Sequence, residues 1–138
     1  MPVVELSTIP GTEAAIGRAR GHTLVVDRPE GKAGGQGLGF NGGELLALAL
    51  GGCLANDLRY VAHLRGVGLG NVAIRVNLDI DGTPLLARSA EIVVACALAD
   101  GGDPAALVEA AARDCTVTNS VRPGFPVTVR AAAPGELG

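Results

Sequence analysis

The chain has 138 residues, 48% apolar and 18% charged, with a net charge of −3 and a pI near 5.3. That length and apolar share predict one domain, residues 1–138, with a real core, and exclude a disordered chain. Lys32 is the only lysine and the ten arginines are scattered, so neither a basic cluster for nucleic acid nor a basic anchor for a membrane surface is present.

The N-terminus, Met1-Pro-Val-Val-Glu-Leu-Ser, has no basic region ahead of an apolar stretch, so no secretory signal is expected. The longest apolar run is about half of a bilayer span. Together these predict a soluble, cytoplasmic protein. Residues 3–6, 14–19 and 23–27 read as short strands, broken by Pro10-Gly11, Gly21 and Pro29-Glu-Gly31. Residues 31–43 hold seven glycines and read as a mobile loop. Within it, Gly34-Gly-Gln-Gly-Leu-Gly39 lacks the Gly-Lys-Ser/Thr ending of a phosphate loop.

A long helix is predicted over 43–65, ending at Gly66. Its second half is amphipathic, with Leu54, Leu58, Val61 and Leu64 on one stripe. Its first half, 45–55, is apolar on every side, so a single sheet layer cannot cover it and a second subunit is expected to. Residues 72–80 alternate as a half-buried strand, Asp81-Gly82 marks a turn, and 87–98 form a second strand that pairs with it. Asp103-Pro104 starts a helix that runs to Asp114. A short helix from Cys115 ends before Pro123-Gly124, and residues 126–130 read as a last strand. The order predicts an α+β fold with antiparallel sheet and helices on one side. Aromatics are only 2%, so its core is built from Val, Leu, Ile and Ala.

Two of the three cysteines stand in unusual settings. Cys53 follows Gly51-Gly52 inside the apolar helix, where each glycine costs about 1 kcal/mol relative to alanine. The pair therefore implies a close neighbour or a ligand, and Cys53 is either a nucleophile at the base of a pocket they open or a small buried hydrophobe. A mid-helix thiol lacks the helix dipole, and Asp57 one turn later raises its pKa, so a reactive Cys53 requires a cation from elsewhere. Cys115 begins a helix whose dipole favours a thiolate, or it is a capping thiol. Cys96 shares a strand face with Ile92, Val94 and Leu98 and reads as packing. His22 and His63 fit no metal-ligand spacing with these cysteines, so no metal or other cofactor is expected.

Three segments, Gly21-His-Thr-Leu-Val-Val-Asp-Arg-Pro29, Glu44-Leu-Leu-Ala-Leu-Ala-Leu-Gly-Gly-Cys53 and Cys115-Thr-Val-Thr-Asn-Ser-Val121, resemble the OsmC/Ohr family of osmotically inducible and organic-hydroperoxide-resistance proteins. The resemblance covers about residues 14–131 and looks most like the OsmC-like branch with Glu-Leu-Leu and Gly-Gly-Cys. It implies an intertwined α+β homodimer, with antiparallel sheets around long central helices and two sites at the subunit interface. It also implies a thiol peroxidase acting on organic hydroperoxides in oxidative stress defence. Cys53 would be peroxidatic, Cys115 resolving, and an external dithiol the reductant. An arginine would activate Cys53, with Arg20 the best positional match and Arg18 and Arg28 as alternatives. Phe40 or Phe125 would join Leu and Val in lining the pocket. Characterised branches carry a glutamate ten residues before the first cysteine; here that position is Gly43, and Glu44 falls nine before, turned by about 100°. The rival expectation is a non-catalytic dimer of the same fold that binds a small apolar ligand.

Overall fold

The computed structural model describes residues 1–124 and 126–137. Three short strands, β1 (Glu5–Thr8), β2 (Ala15–Ala19) and β3 (His22–Val26), form an antiparallel sheet in chain order. The β2–β3 turn has only two residues, and Arg20 takes it with φ 57°, a left-handed conformation uncommon for a residue with a side chain. Among the described residues, this sheet makes no substantial contact with the other strands and helices.

That loop is tied rather than mobile. The buried carboxylate of Asp27 accepts the backbone N–H groups of Arg28 (2.8 Å), Gln36 (3.0 Å) and Leu38 (3.1 Å) and an ion pair from Arg28 Nη2 (3.2 Å). One side chain thus folds the glycine-rich stretch back along β3, where Phe40 exchanges backbone bonds with Val25 and Asp27. The Leu38 amide chiefly holds the Asp27 carboxyl below its ordinary value; burial opposes it, and the Gln36 and Arg28 contacts help lower it.

Helix α1 spans Gly42–Arg65. It starts at a capping box: Asn41 Oδ1 accepts from the Glu44 amide, and Glu44 Oε1 accepts from the Asn41 amide. It stops at Gly66, φ 63°, whose amide returns to the last turn. α1 is long and apolar enough to cross a bilayer, a property it shares with core helices of soluble proteins. Here it carries Asp57 and Arg59 and lies between a hairpin and a second helix.

That hairpin is β4 (Leu69–Asp81) and β5 (Leu86–Leu98), paired antiparallel in a separate two-stranded sheet. Strict alternation puts Val72, Ile74, Ile92, Val94 and Leu98 towards the core. Gly51 lets α1 approach β4: a Cβ there would lie 2.9 Å from Val76 Cγ2 and 3.4 Å from Ile74 Cγ2. Arg59 then clamps the two elements, donating to the Leu69 carbonyl (2.7 Å) and the Gly70 carbonyl (2.8 Å).

Helix α2 (Ala105–Asp114) closes another side of α1, its first turn fixed by Asp103 accepting the Ala105 amide. Leu107, Ala110 and Ala111 join Leu54, Leu58, Val61 and Ala62 in one buried cluster. Leu64 does not join it and is 87% exposed. The cluster continues through Val61 and Ala62, which turns Leu64 about 100° away from its centre. Helix α3 (Thr116–Val121) follows after Cys115.

The strand expected at 126–130 is a correction. Those residues lie in no strand, and Val127 and Val129 are 73% and 93% exposed. Alternation makes a strand only where an edge and an apolar face receive it, and residues 126–130 pair with neither sheet. Phe125 lies outside the described residues. The accessible surface is 9997 Å², against about 6,600 Å² for a compact monomer of this mass.

Two outcomes follow from this packing. Gly51→Val should force α1 off β4 and lower the unfolding free energy, read by chemical denaturation, by about 1–3 kcal/mol, whereas Gly52→Ala, with nothing within 4 Å of its added carbon, should not destabilise the fold. Asp27 has a folded pKa below its unfolded value of about 3.9, so its stabilisation is present above that pH and lost as the pH falls through the folded value. Denaturation curves of wild type and Asp27→Asn should therefore differ near neutral pH and converge in acid; a constant gap would contradict this role.

Candidate active site

The apolar surface of α1 hides one polar spot. Cys53 and Asp57 lie one turn apart on the same helix, and the Cys53 thiol donates to Asp57 Oδ2 at 3.5 Å. Cys115, between α2 and α3, is fully buried in the core cluster. The Cys53 sulfur, the Cys115 sulfur and an Asp57 carboxylate oxygen all lie within 4.8 Å of one another. All three cysteines are free thiols. Cys96 stands apart on β5, opposite Val72 and half-buried on the core-facing side.

The alanine face of α2 explains the convergence. Ala110 and Ala111 are small enough to bring α2 close against Leu54 and Leu58, and the turn after Asp114 then carries Cys115 in beside Cys53. The Asn119 amide bonds the Cys115 carbonyl at 2.9 Å, and Asn119 Nδ2 bonds the Arg113 carbonyl at 2.8 Å, which fixes that turn.

Electrostatically the site is unfavourable to a thiolate. Burial pushes the Cys53 thiol up, and Cys115 and Asp57 push the same way. One group opposes them: the backbone N–H of Val117, in the first turn of α3, favours the Cys53 thiolate. Among the described residues, no cation is among the groups that shift this thiol.

The remaining candidates lie elsewhere. Arg20 is exposed in the β2–β3 turn, on a sheet that does not reach α1 within one chain. Arg18 donates to Ser7 Oγ at 3.1 Å, and Arg28 is engaged by Asp27 and the Glu13 carbonyl. Glu44 is occupied in the capping box, nine residues from Cys53.

The glycine pair does not open onto Cys53, contrary to expectation. Gly51 faces β4 and Gly52 faces open space, and both line a shallow groove of about 680 Å³ with Phe40, Leu48, Val72 and Ile74. Cys53 is turned about 100° from Gly52, towards α2 and α3. A second groove, about 610 Å³, runs between α1, β5, α2 and α3, lined by Leu50, Leu54, Ile92 and Val108 together with Arg88 and Arg122; neither Cys53 nor Cys115 lines it. The Val117 amide is a contact that sequence did not suggest, because backbone groups leave no residue signal.

The sequence model of the OsmC-like protein family matches residues 34–130. No curated protein matches the chain. Among solved structures, an OsmC-like protein from Mycoplasma pneumoniae is similar, with TM-score 0.72 and 12% identity over 88% of this chain and 87% of that one. An organic hydroperoxide resistance protein from Elizabethkingia anophelis gives 0.66 and 16%, covering 88% of each chain. An organic hydroperoxide resistance protein OsmC from Legionella pneumophila gives 0.59 and 22%, over 88% of this chain and 89% of that one. At these identities the neighbours establish a shared fold, in which a hairpin and two helices surround one long helix. With the sequence match spanning α1, the β4–β5 hairpin, α2 and α3, the chain belongs to the OsmC-like protein family.

Proposed function

We propose that this protein is a thiol peroxidase that reduces organic hydroperoxides, with Cys53 peroxidatic and Cys115 resolving. The observation that carries this is the approach of two free thiols, distant in sequence, to within 4.8 Å at the junction of three helices. Cys53 is the more accessible of the two, whereas Cys115 is fully buried, which supports that order of attack. The names of two structural neighbours refer to organic hydroperoxide resistance, which supports the substrate class.

The chemistry balances as follows. The Cys53 thiol passes its proton to Asp57, its hydrogen-bond acceptor, so that the pair carries one negative charge rather than two. The thiolate attacks the terminal peroxide oxygen, the O–O bond breaks, and the alkoxide takes a proton from Asp57 and leaves as the alcohol. Cys53 is now a sulfenic acid. Cys115 attacks its sulfur, water leaves, and a disulfide forms. An external dithiol reduces that disulfide by exchange. Two thiols supply two electrons, and the peroxide is reduced to alcohol and water. The second groove, where Leu50, Leu54, Ile92 and Val108 offer apolar surface and Thr118 comes from the helix that follows Cys115, suits an alkyl or aryl peroxide tail.

The active form we propose is a homodimer. The surface excess of about 3,400 Å² over a compact monomer, the exposed face of α1 at Leu48, Gly52 and Tyr60, and the detached N-terminal sheet all support a second copy covering this chain. In that arrangement Arg20 would reach Cys53 from the other subunit and favour its thiolate. A second function is a ligand-binding dimer without turnover; the raised Cys53 pKa and the groove around Phe40 favour it.

Three measurements separate these outcomes. One equivalent of cumene hydroperoxide added to reduced protein should remove two thiols per chain; loss of none supports ligand binding. Cys53→Ser should abolish peroxide consumption, and Cys115→Ser should consume about one equivalent and stop at a sulfenic acid that dimedone traps. Sedimentation at micromolar concentration should give about twice the 13.8 kDa chain mass, and a well-folded monomer would sink the shared site.

A further inference from the structure

The cluster that hosts this chemistry has a second property. Two sulfurs and a carboxylate oxygen converge, and the groups acting on Cys53 include no cation among the described residues. We propose that the reduced Cys53–Asp57–Cys115 cluster is a binding site for one thiophilic divalent cation, with Zn²⁺ the ion its donor set fits best. This rests on the same site as the peroxidase function and goes beyond it, because it gives the reduced state a ligand of its own.

The geometry points to a tetrahedral ion. With metal–sulfur bonds of about 2.3 Å and a metal–oxygen bond of about 2.0 Å, a tetrahedron has a sulfur–oxygen edge of about 3.5 Å and a sulfur–sulfur edge of about 3.8 Å. The Cys53 sulfur and Asp57 Oδ2 are already 3.5 Å apart, and all three donors lie within 4.8 Å of one another. Closing on an ion therefore requires about 1 Å of movement or less. The donors are held by defined elements: Cys53 and Asp57 by one helix, and the fully buried Cys115 by the junction between two others. A mixed thiolate and carboxylate set selects zinc over magnesium or calcium, which prefer oxygen donors alone. Three protein donors leave the fourth coordination position to water.

Binding displaces the two thiol protons, and the ion's double positive charge offsets the two thiolate charges it gathers. The metal-bound form is then the resting, capped form of the redox pair. Oxidation by an organic hydroperoxide releases the ion. Two thiolates give two electrons to the O–O bond, two protons come from solvent, and the products are the disulfide, the alcohol, water and free Zn²⁺.

The test uses the full chain, reduced and stripped of metal. Titration with Co²⁺ should give thiolate-to-cobalt charge transfer and the intense visible bands of a tetrahedral ion, saturating at one ion per chain. One equivalent of Zn²⁺ should bleach those bands and protect Cys53, the accessible thiol of the pair, from iodoacetamide. Asp57→Asn should weaken cobalt binding at least about tenfold, Cys115→Ser should lose the two-thiolate spectrum, and Cys96→Ser should retain it. Absence of charge transfer in wild type, Cys53 left unprotected by zinc, or equal affinity in Asp57→Asn would overturn the site. The wild-type protection experiment stands even if a variant fails to fold. Loss of two thiols to peroxide without cobalt bands would sink the ion site and leave the peroxidase; bands without thiol loss would support the ion site and sink the peroxidase.

Discussion

The close contact of α2 with α1 is the constraint on which the rest depends. It is made by small residues: Ala110 and Ala111 from α2 against Leu54, Leu58 and Ala62 of α1, all buried. Larger side chains at 110 and 111 would hold the helices apart and lift Cys115 away from Cys53. Dispersion in such a contact is summed over many atoms at close range and falls steeply with a gap of an ångström. The separation of two sulfurs is thus set by packing a few residues away. Gly51 does the equivalent work on another side of α1, where it admits Val76 and Ile74 of β4.

A thiol in this position presents a charge problem that a single chain does not resolve. Burial, a second thiol and a carboxylate all disfavour the Cys53 thiolate, and only the Val117 amide favours it. Three compensations are proposed: proton transfer to Asp57, an arginine from a second copy, and a divalent ion. They act at different stages. The ion belongs to the resting reduced site, while proton transfer and the arginine belong to the encounter with peroxide. The exposed sheet that carries Arg20 and the uncovered face of α1 are the surfaces that the proposed second copy would cover.

Much of the architecture was legible from sequence because it rests on local signals. The alternation at 72–80 and 87–98 and the Asp103-Pro104 start give elements close to those observed. Gly66 ends α1 as its position suggests. The misreadings share a cause. Residues 126–130 alternate like a strand, Leu64 falls near the apolar stripe, and Gly51-Gly52 precede a cysteine; in each case the partner surface, not the local pattern, decides the outcome. The glycines serve the face of α1 turned from Cys53. Asn41-Gly-Gly-Glu44 carries a capping-box signal that accounts for Glu44 through backbone geometry. Asp57 was legible at one-turn spacing from Cys53, but as a hindrance; its proximity to Cys115 as well depends on α2 docking.

The central claim is that Cys53 and Cys115 of one chain form a single redox pair. Its most direct measurement is peptide mapping by mass spectrometry after stoichiometric oxidation with an organic hydroperoxide under denaturing, thiol-blocked quench. The account predicts one cross-linked species joining the Cys53 and Cys115 peptides within a chain, with the Cys96 peptide recovered as the alkylated thiol. A Cys53–Cys53 cross-link between chains, a disulfide involving Cys96, or Cys53 recovered fully alkylated would contradict it.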